Sequence, residues 1–204
     1  MARWADFHPD LLVHVPGCPE PLLDQELARA ATLFFRRSKL WTAWLEPIAT
    51  AGSLTTYDLE VPEDAEVVAL RKATLNGQVL PLGSYRLVSN NPERAPGAER
   101  RLLSTEPAAV TLLSVQAPKS VLDIEAVLTV APQAKGLPDA LANTYREAIV
   151  AGARYRLHRI PGPLYQPEAA KAARAEFEQA LASDQASGWL GRVGQVPRTR
   201  VAWC

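Results

Sequence analysis

The stretch Val121-Leu122-Asp123-Ile124-Glu125-Ala126-Val127-Leu128-Thr129-Val130 runs into Ala131-Pro132-Gln133-Ala134-Lys135-Gly136-Leu137-Pro138-Asp139, and the period of the apolar pattern changes between the two. In the first segment Leu122, Ile124, Ala126, Leu128 and Val130 alternate with Asp123, Glu125 and Thr129. That two-residue repeat predicts a half-buried strand. Pro132 to Gly136 reads as a linker. Pro138 then suits a helix start, because a proline lacks the N–H that has no intrahelical partner there, and Asp139 falls in the first turn, where the helix dipole favours an acid. Past it Leu141, Tyr145, Ala148, Gly152 and Tyr155 recur at helical spacing. The small Ala148 and Gly152 in that stripe predict close approach by another helix. The chain therefore passes from sheet to helix near residue 132.

Toward the C-terminus the helix is expected to stop at Ile160-Pro161-Gly162-Pro163. A second one follows from Pro167 to about Ser187, with Ala170, Ala173, Phe177 and Leu181 on its apolar face. A short Pro/Gly turn between two helices predicts an antiparallel hairpin. Toward the N-terminus residues 51–131 read as β. Thr55 to Leu59 and Glu66 to Leu75 are expected strands, and Asn76-Gly77 is a type I′ hairpin signal, since both central positions of that turn need positive φ. Gln78 to Leu82 is the expected return strand, Asn90 to Arg100 a loop, and Val110 to Val115 a further strand before a turn at Pro118. Ahead of the sheet a helix is predicted from about Pro19 to Arg37. Leu23, Leu27, Ala30 and Phe34 share its apolar face, and Arg36 and Arg37 suit the negative end of its dipole. The fold class predicted is α+β. A helical bundle is built from residues 1–50 and 132–187, residues 51–131 are an inserted antiparallel β-sheet, and residues 188–204 are an extended C-terminal arm.

The 204 residues carry 22 Lys+Arg against 22 Asp+Glu, and 48% are hydrophobic. That apolar fraction suffices for a core and argues against global disorder. Zero net charge is uninformative about a dedicated nucleic-acid binder, which is expected to look clearly basic. No apolar run is long enough to cross a membrane, and the first residues lack the apolar core of a signal peptide, so synthesis in a cytoplasm is expected. Cys18 and Cys204 are expected as free thiols.

Motifs for catalysis are not evident: the sequence holds no HExxH, GxSxG, P-loop or GxGxxG. His8 and His14 are too far apart for ligands on adjacent helical turns, and His158 sits at a predicted helix end, where a partly charged imidazole is favourable. The run Asp58, Glu60, Glu63, Asp64, Glu66 reads as a solvated strand end or loop. Trp4, Trp41 and Trp44 are balanced between core packing and anchoring at a protein interface. The expectation is no enzyme activity, no cofactor and no metal. The tail is more distinctive. Gly188, Gly191, Gly194 and Pro197 are expected to break the helix, no acid follows Asp184, and Trp189, Arg192, Arg198, Arg200 and Trp203 are the residue types enriched at interface hot spots.

One resemblance spans the chain. It is carried by Pro9-Asp10-Leu11, Val15-Pro16-Gly17-Cys18-Pro19, the helix with Ala30-Ala31 and Phe34-Phe35 leading to Trp41, Glu46-Pro47-Ile48 and Tyr57-Asp58-Leu59 with Pro62. Leu137-Pro138, Ala148, Gly152-Ala153, Leu157, Pro161-Gly162-Pro163-Leu164-Tyr165 and the Ala169-Ala170 to Phe177 helix complete it. In this order the segments resemble the phage head-to-tail adaptor (connector or gateway) family, similar to the tail tubular protein A-like adaptors of podoviruses. The resemblance implies a structural virion protein at the head–tail interface, in a homo-oligomeric ring of about twelve copies. Its implied partners are the portal protein and a tail or nozzle protein, with genomic DNA crossing its channel without specific binding. It further implies that the C-terminal segment reaches into the portal, which makes Trp189, Arg192, Arg198, Arg200 and Trp203 a portal-docking arm. The competing readings are a tail terminator or completion protein, and a small soluble enzyme or binding module.

Overall fold

The computed structural model describes residues 1–51, 56–84, 102–106, 109–112 and 120–193. Within them the fold is mixed α+β, with helices on either side of the sheet in sequence, as the periodicity predicts. The first eighteen residues, for which no helix or strand is predicted, hold regular structure. They begin with β1 (Ala2–Arg3), then a 3₁₀ turn (Trp4–Phe7) and α1 (His8–Leu12). The expected linker before Pro138 contains β11 (Gly136–Leu137), which pairs antiparallel with β1. A Cβ on Gly136 would stand 1.9 Å from the Ala2 carbonyl oxygen, so only glycine allows this ribbon. The Trp4 indole N–H donates to the Ala134 carbonyl at 2.7 Å, which ties the chain start to the same linker.

The first long helix, α2 (Glu20–Ser38), follows prediction closely. Leu23, Leu27, Ala30 and Phe34 are all buried. Each large one contributes roughly 1.5–3 kcal/mol by leaving water. Lys39 ends the helix in the left-handed region, at φ 56°, and turns the chain toward the sheet.

The sheet begins earlier than residue 51. β2 (Thr42–Trp44) and β3 (Ile48–Ala49) both pair antiparallel with β10 (Val121–Val130). On its other side β10 pairs with β5 (Ala65–Leu75), which folds back through Asn76-Gly77 to β6 (Gln78–Val79). Both turn residues have positive φ, 49° and 79°, as the Asn-Gly reading requires. The predicted return strand to Leu82 is shorter than expected. Leu80 still donates to Ala73, but Pro81 has no N–H to offer, and the next strand, β7 (Leu82–Ser84), belongs to a different sheet. That second sheet has the order β4 (Thr56–Asp58), β9 (Ala109–Leu112), β8 (Leu102–Glu106), β7. Its β7–β8 pair is parallel, a departure from the all-antiparallel expectation. The Asn90–Arg100 loop, the Leu113–Val115 end of the predicted strand and the Pro118 turn lie outside the described residues.

Alternation survives on β10 and fails on β5. The register slips between Glu125 and Ala126 and between Val127 and Leu128, leaving Arg71 and Val68 of β5 without opposite residues. Each slip is a bulge that reverses which face the next side chain meets. On β10 itself the polar side of the repeat is not wholly solvated. Thr129 is buried because α2 comes against it, and its hydroxyl donates to the Thr32 carbonyl at 3.0 Å.

The helix hairpin is formed by α3 (Asp139–Leu157) and α4 (Pro167–Val193). Gly152 is the closest point of the bundle: a Cβ there would meet the Phe177 ring at 2.8 Å and Ala30 Cβ at 3.1 Å, so α2, α3 and α4 converge on it. The predicted α3 stripe is shifted. Its most deeply buried line is Ala142, Ile149, Ala153 and Leu157, while Leu141, Tyr145 and Tyr155 are half-buried. Tyr145 departs from helical geometry (φ −112°, ψ 15°), and its ring packs with Phe34 and Phe35 at centroid distances of 5.3 and 5.7 Å.

Two expectations are corrected. The arm was placed at 188–204, yet the helix continues through Gly188 and Gly191 to Val193. A glycine costs a helix only about 1 kcal/mol against alanine, whereas proline breaks it, and the first proline past Pro167 is Pro197. The sheet is also no appendage projecting from a bundle. Phe34, Phe35 and Phe177 of the helices and Ile124, Leu128, Leu75, Tyr57 and Val110 of the two sheets belong to one continuous core.

Candidate functional site

The residues singled out in the tail fall into two groups. Trp189 and Arg192 stand on the backbone of the last turns of α4, three positions apart. Arg198, Arg200 and Trp203 lie outside the described residues. The hairpin is unequal: α4 has 27 residues and α3 has 19. At 1.5 Å per residue α4 is about 40 Å long, roughly 12 Å longer than α3, and with Gly152 against Phe177 and Arg154 paired with Glu176 the difference is shared between the two ends of the hairpin. The described packing partners of α4 are α3 and α2.

Most other candidates from sequence turn out to hold the fold together. Trp4 and Trp41 are core residues. His8 Nε2 is 2.6 Å from Asp24 Oδ1 and links α1 to α2. His158 is buried at the end of α3 with Nδ1 3.3 Å from the Leu164 carbonyl, so it braces the hairpin turn. Cys18 is a free, buried thiol, and burial pushes its pKa up, which keeps it from the reactive thiolate form. His14 is exposed; partial desolvation, followed by the nearby Arg154 cation, holds its ring below the usual histidine range. In the acidic run, Asp64 accepts the Lys135 N–H at 3.0 Å and Glu66 pairs with Arg36 at 3.3 Å, so part of that run is structural.

Three charged braces lock the helical layer. Glu26, only 4% exposed, takes Arg29 at 2.6 Å and Arg156 from α3. A buried carboxylate needs such partners, since losing them would leave an uncompensated charge. Arg146 of α3 bonds Asp10 Oδ2 at 2.6 Å and the Asp6 carbonyl, and its guanidinium lies 4.7 Å from the Phe7 ring centre. Arg37 of α2 meets Glu178 of α4 in a fork, with both N–H···O distances 2.8 Å. The Arg37 hydrogen bonds hold the Glu178 carboxyl below the usual glutamate range and raise the guanidinium's own pKa.

What remains at the surface is different in kind. Trp44, on β2, is 54% exposed, with Lys72 Nζ 5.7 Å from its ring centre. It opens onto a cleft of about 270 Å³ walled by Leu45, Glu46, Glu60, Val61 and Pro62. At the turn end of the hairpin, Arg159 and Arg174 flank the Tyr155 ring at 5.3 and 5.9 Å, and Arg159 Nη1 donates to the Tyr155 hydroxyl at 2.9 Å. A third feature is a groove of about 580 Å³ along α2. Its floor is Val130, Ala131 and Pro132 and its rim carries Arg29, Arg36 and Arg156. Those arginines are already committed to Glu26 and Glu66. Sequence reasoning weighed the tryptophans together and missed the Tyr155 cluster. The i, i+4 spacing of Tyr155 and Arg159 was legible, but the arrival of Arg174 from the other helix was not.

No model of a known protein family matches this sequence, and no curated protein matches it. The functional reading therefore rests on the chain's own residues and geometry.

Proposed function

We propose that this chain is a structural subunit of a tailed-phage virion: a head-to-tail adaptor that forms a ring between portal and tail and lines the channel through which DNA passes. The observation that carries the reading is the unequal hairpin. A longer helix whose end leads into Gln195-Val196-Pro197-Arg198-Thr199-Arg200-Val201-Ala202-Trp203 suits a handle for another protein. Arginine pairs bidentately with carboxylates and tryptophan supplies large apolar area, so this composition fits docking onto a folded protein surface. Repetition around a ring multiplies a modest affinity per copy through effective concentration. Order along the chain supports the same reading, because the resemblance described above runs through both ends of the sequence. In this role the protein assembles and turns over no substrate.

The test is a chain ended after Ser187, mixed with purified cognate portal and examined by negative-stain electron microscopy beside the full-length protein. The full chain is expected to add a ring below the portal, and the shortened chain is expected to lose that ring. Equal binding by both chains would remove the docking role of the helix end and tail. Failure of the full chain to bind portal, or to form rings, would remove the adaptor reading itself.

A further inference from the structure

We propose that a basic stripe across the helical layer, carried by Arg37, Arg159, Lys171 and Arg174, is the surface that meets the phosphates of duplex DNA passing through the ring. The proposal rests on the adaptor reading above and names the face of each copy that turns toward the channel.

The stripe is continuous through space. Just past α3, Arg159 donates to the Tyr155 hydroxyl at 2.9 Å, and its guanidinium lies 5.3 Å from the Tyr155 ring centre. Arg174 reaches the same ring from α4, at 5.9 Å. One turn farther along α4, Glu178 is forked by Arg37 of α2, with both distances 2.8 Å. The Glu178 carboxyl is held below the usual glutamate range, chiefly by those hydrogen bonds and further by the nearby Arg174 cation. Lys171 stands three positions before Arg174 and pairs with Glu168 at 2.8 Å. Arg37, Arg159, Lys171 and Arg174 thus face only the carboxylates of Glu168 and Glu178, while Arg154 and Glu176 beside them cancel. The compensating acids belong to the sheets and their loops. Glu46, Asp58, Glu60, Glu63, Asp64 and Glu66 all fall within residues 40–70, which hold no lysine or arginine. A duplex therefore favours one orientation of a neutral copy, with the stripe toward it.

The chemistry of the stripe suits a nucleic acid better than a protein. Protein interfaces have an apolar core, whereas protein–DNA interfaces are polar and positively charged. Among the described residues none of the exposed large apolar side chains lies on α4. Its exposed uncharged positions beside the stripe are small, Ala172 and Ala175, and Tyr155 is half-buried. Arginine presents its donors in a fixed fork that matches a phosphate. The Tyr155 hydroxyl already holds Arg159, so less rotamer freedom is lost on contact. From Lys171 to Glu178 the helix rises about 10 Å, roughly three phosphate steps of one strand at about 3.4 Å along the duplex axis. Contacts to phosphate alone are independent of sequence and let a duplex slide, which passage of a genome requires.

The experiment measures binding of the full chain to a fluorescently labelled duplex by anisotropy, between about 50 and 200 mM salt. Wild type is compared with Arg159→Gln/Arg174→Gln and with a control of equal charge loss, Lys72→Gln/Lys135→Gln, on the sheet and on the linker before α3. All four positions are exposed, and circular dichroism verifies that each variant keeps its fold. Wild type is expected to bind weakly at the lowest salt, with affinity falling as salt rises. The stripe variant is expected to lose at least about tenfold at about 50 mM, and its salt slope to shrink by roughly 1.8, about 0.9 for each of two phosphates. The control is expected to keep the wild-type slope. If wild type does not bind at the lowest salt, or if the control loses as much as the stripe variant, the proposal is wrong, and rings on the portal still leave the adaptor reading standing. Binding of poly-glutamate in place of duplex would assign the stripe to an acidic protein and overturn the proposal in the same way. Failure of the full chain to form rings on the portal would remove the channel, and with it both readings.

Discussion

Gly152 shows how much one missing methyl group decides. Alanine there would gain about 1 kcal/mol of helix propensity. Its Cβ would meet the Phe177 ring at 2.8 Å, and that ring is itself buried and packed edge-on against Phe34 at 6.0 Å. Overpacking of this kind costs about 1–3 kcal/mol, so the steric term wins. Gly152→Ala is expected to lower stability slightly and Gly152→Val by more, read as a fall in the urea midpoint. A Gly152→Val protein as stable as wild type would show that the three helices are less tightly apposed than described. The Arg37–Glu178 fork makes a prediction of opposite character. Its carboxyl is held below the usual glutamate range in the folded state. Its contribution is therefore fully present above about pH 4.3, the ordinary glutamate value, and is lost as pH falls from there through the folded value. Both side chains are more than a third exposed, which limits the effect to a few tenths of a kcal/mol. Glu178→Gln should lose this small increment at pH 7 and lose less on acidification than wild type. Denaturant titrations at pH 7 and pH 3.5 measure the difference, and identical acid sensitivity in both proteins would exclude the coupling.

At the scale of elements, the informative strand is β10. It pairs with β2 and β3 on one side and β5 on the other, and α2 lies against its C-terminal half through Thr32 and Thr129. Sequence periodicity predicted this strand residue for residue, as part of an inserted sheet spanning residues 51–131. Removing residues 51–131 would strip β2 and β3 of β10, their partner among the described residues, and open the core around Phe35 and Trp41, whose rings are in edge contact at 5.5 Å. The remnant is expected to keep helical circular dichroism and to unfold without a cooperative transition. A sharp thermal transition in that remnant would restore the two-part division. The hairpin behaves differently. Its turn, the apolar face of α4 and its proline starts are local features, and all are legible. Its true end is not, because Gly188 and Gly191 weaken a helix without stopping it.

For the whole molecule, zero net charge sets the expected behaviour toward DNA. Cations do not outnumber acids, so no basic excess draws the chain to phosphates, whose neutralisation supplies most non-specific affinity. Binding to duplex at physiological salt is expected to be no tighter than about 10⁻⁶ M and equal for unrelated sequences. Fluorescence anisotropy with two duplexes at several salt concentrations tests this, and tight, sequence-dependent binding would contradict a channel that lets the genome pass.

What the sequence by itself determined is everything with a local cause. The period change near residue 132 set the class, Asn76-Gly77 set one hairpin because two adjacent residues must take positive φ, and the buried faces of α2 and α4 followed from the 3.6-residue repeat. What only the tertiary structure decided depends on partners distant in the chain. The ribbon of Ala2–Arg3 on Gly136–Leu137 joins segments more than 130 residues apart, and neither is long enough to announce a strand alone. Trp41 and Trp44 look alike in sequence, yet one is packed on Phe35 and the other faces solvent beside Glu46 and Glu60, because they are three positions apart along an extended segment, an odd step that points side chains to opposite sides. The Arg159–Tyr155–Arg174 cluster likewise exists only once the hairpin closes. Side-chain charges pair or stay unpaired through space, and that space is created by the fold.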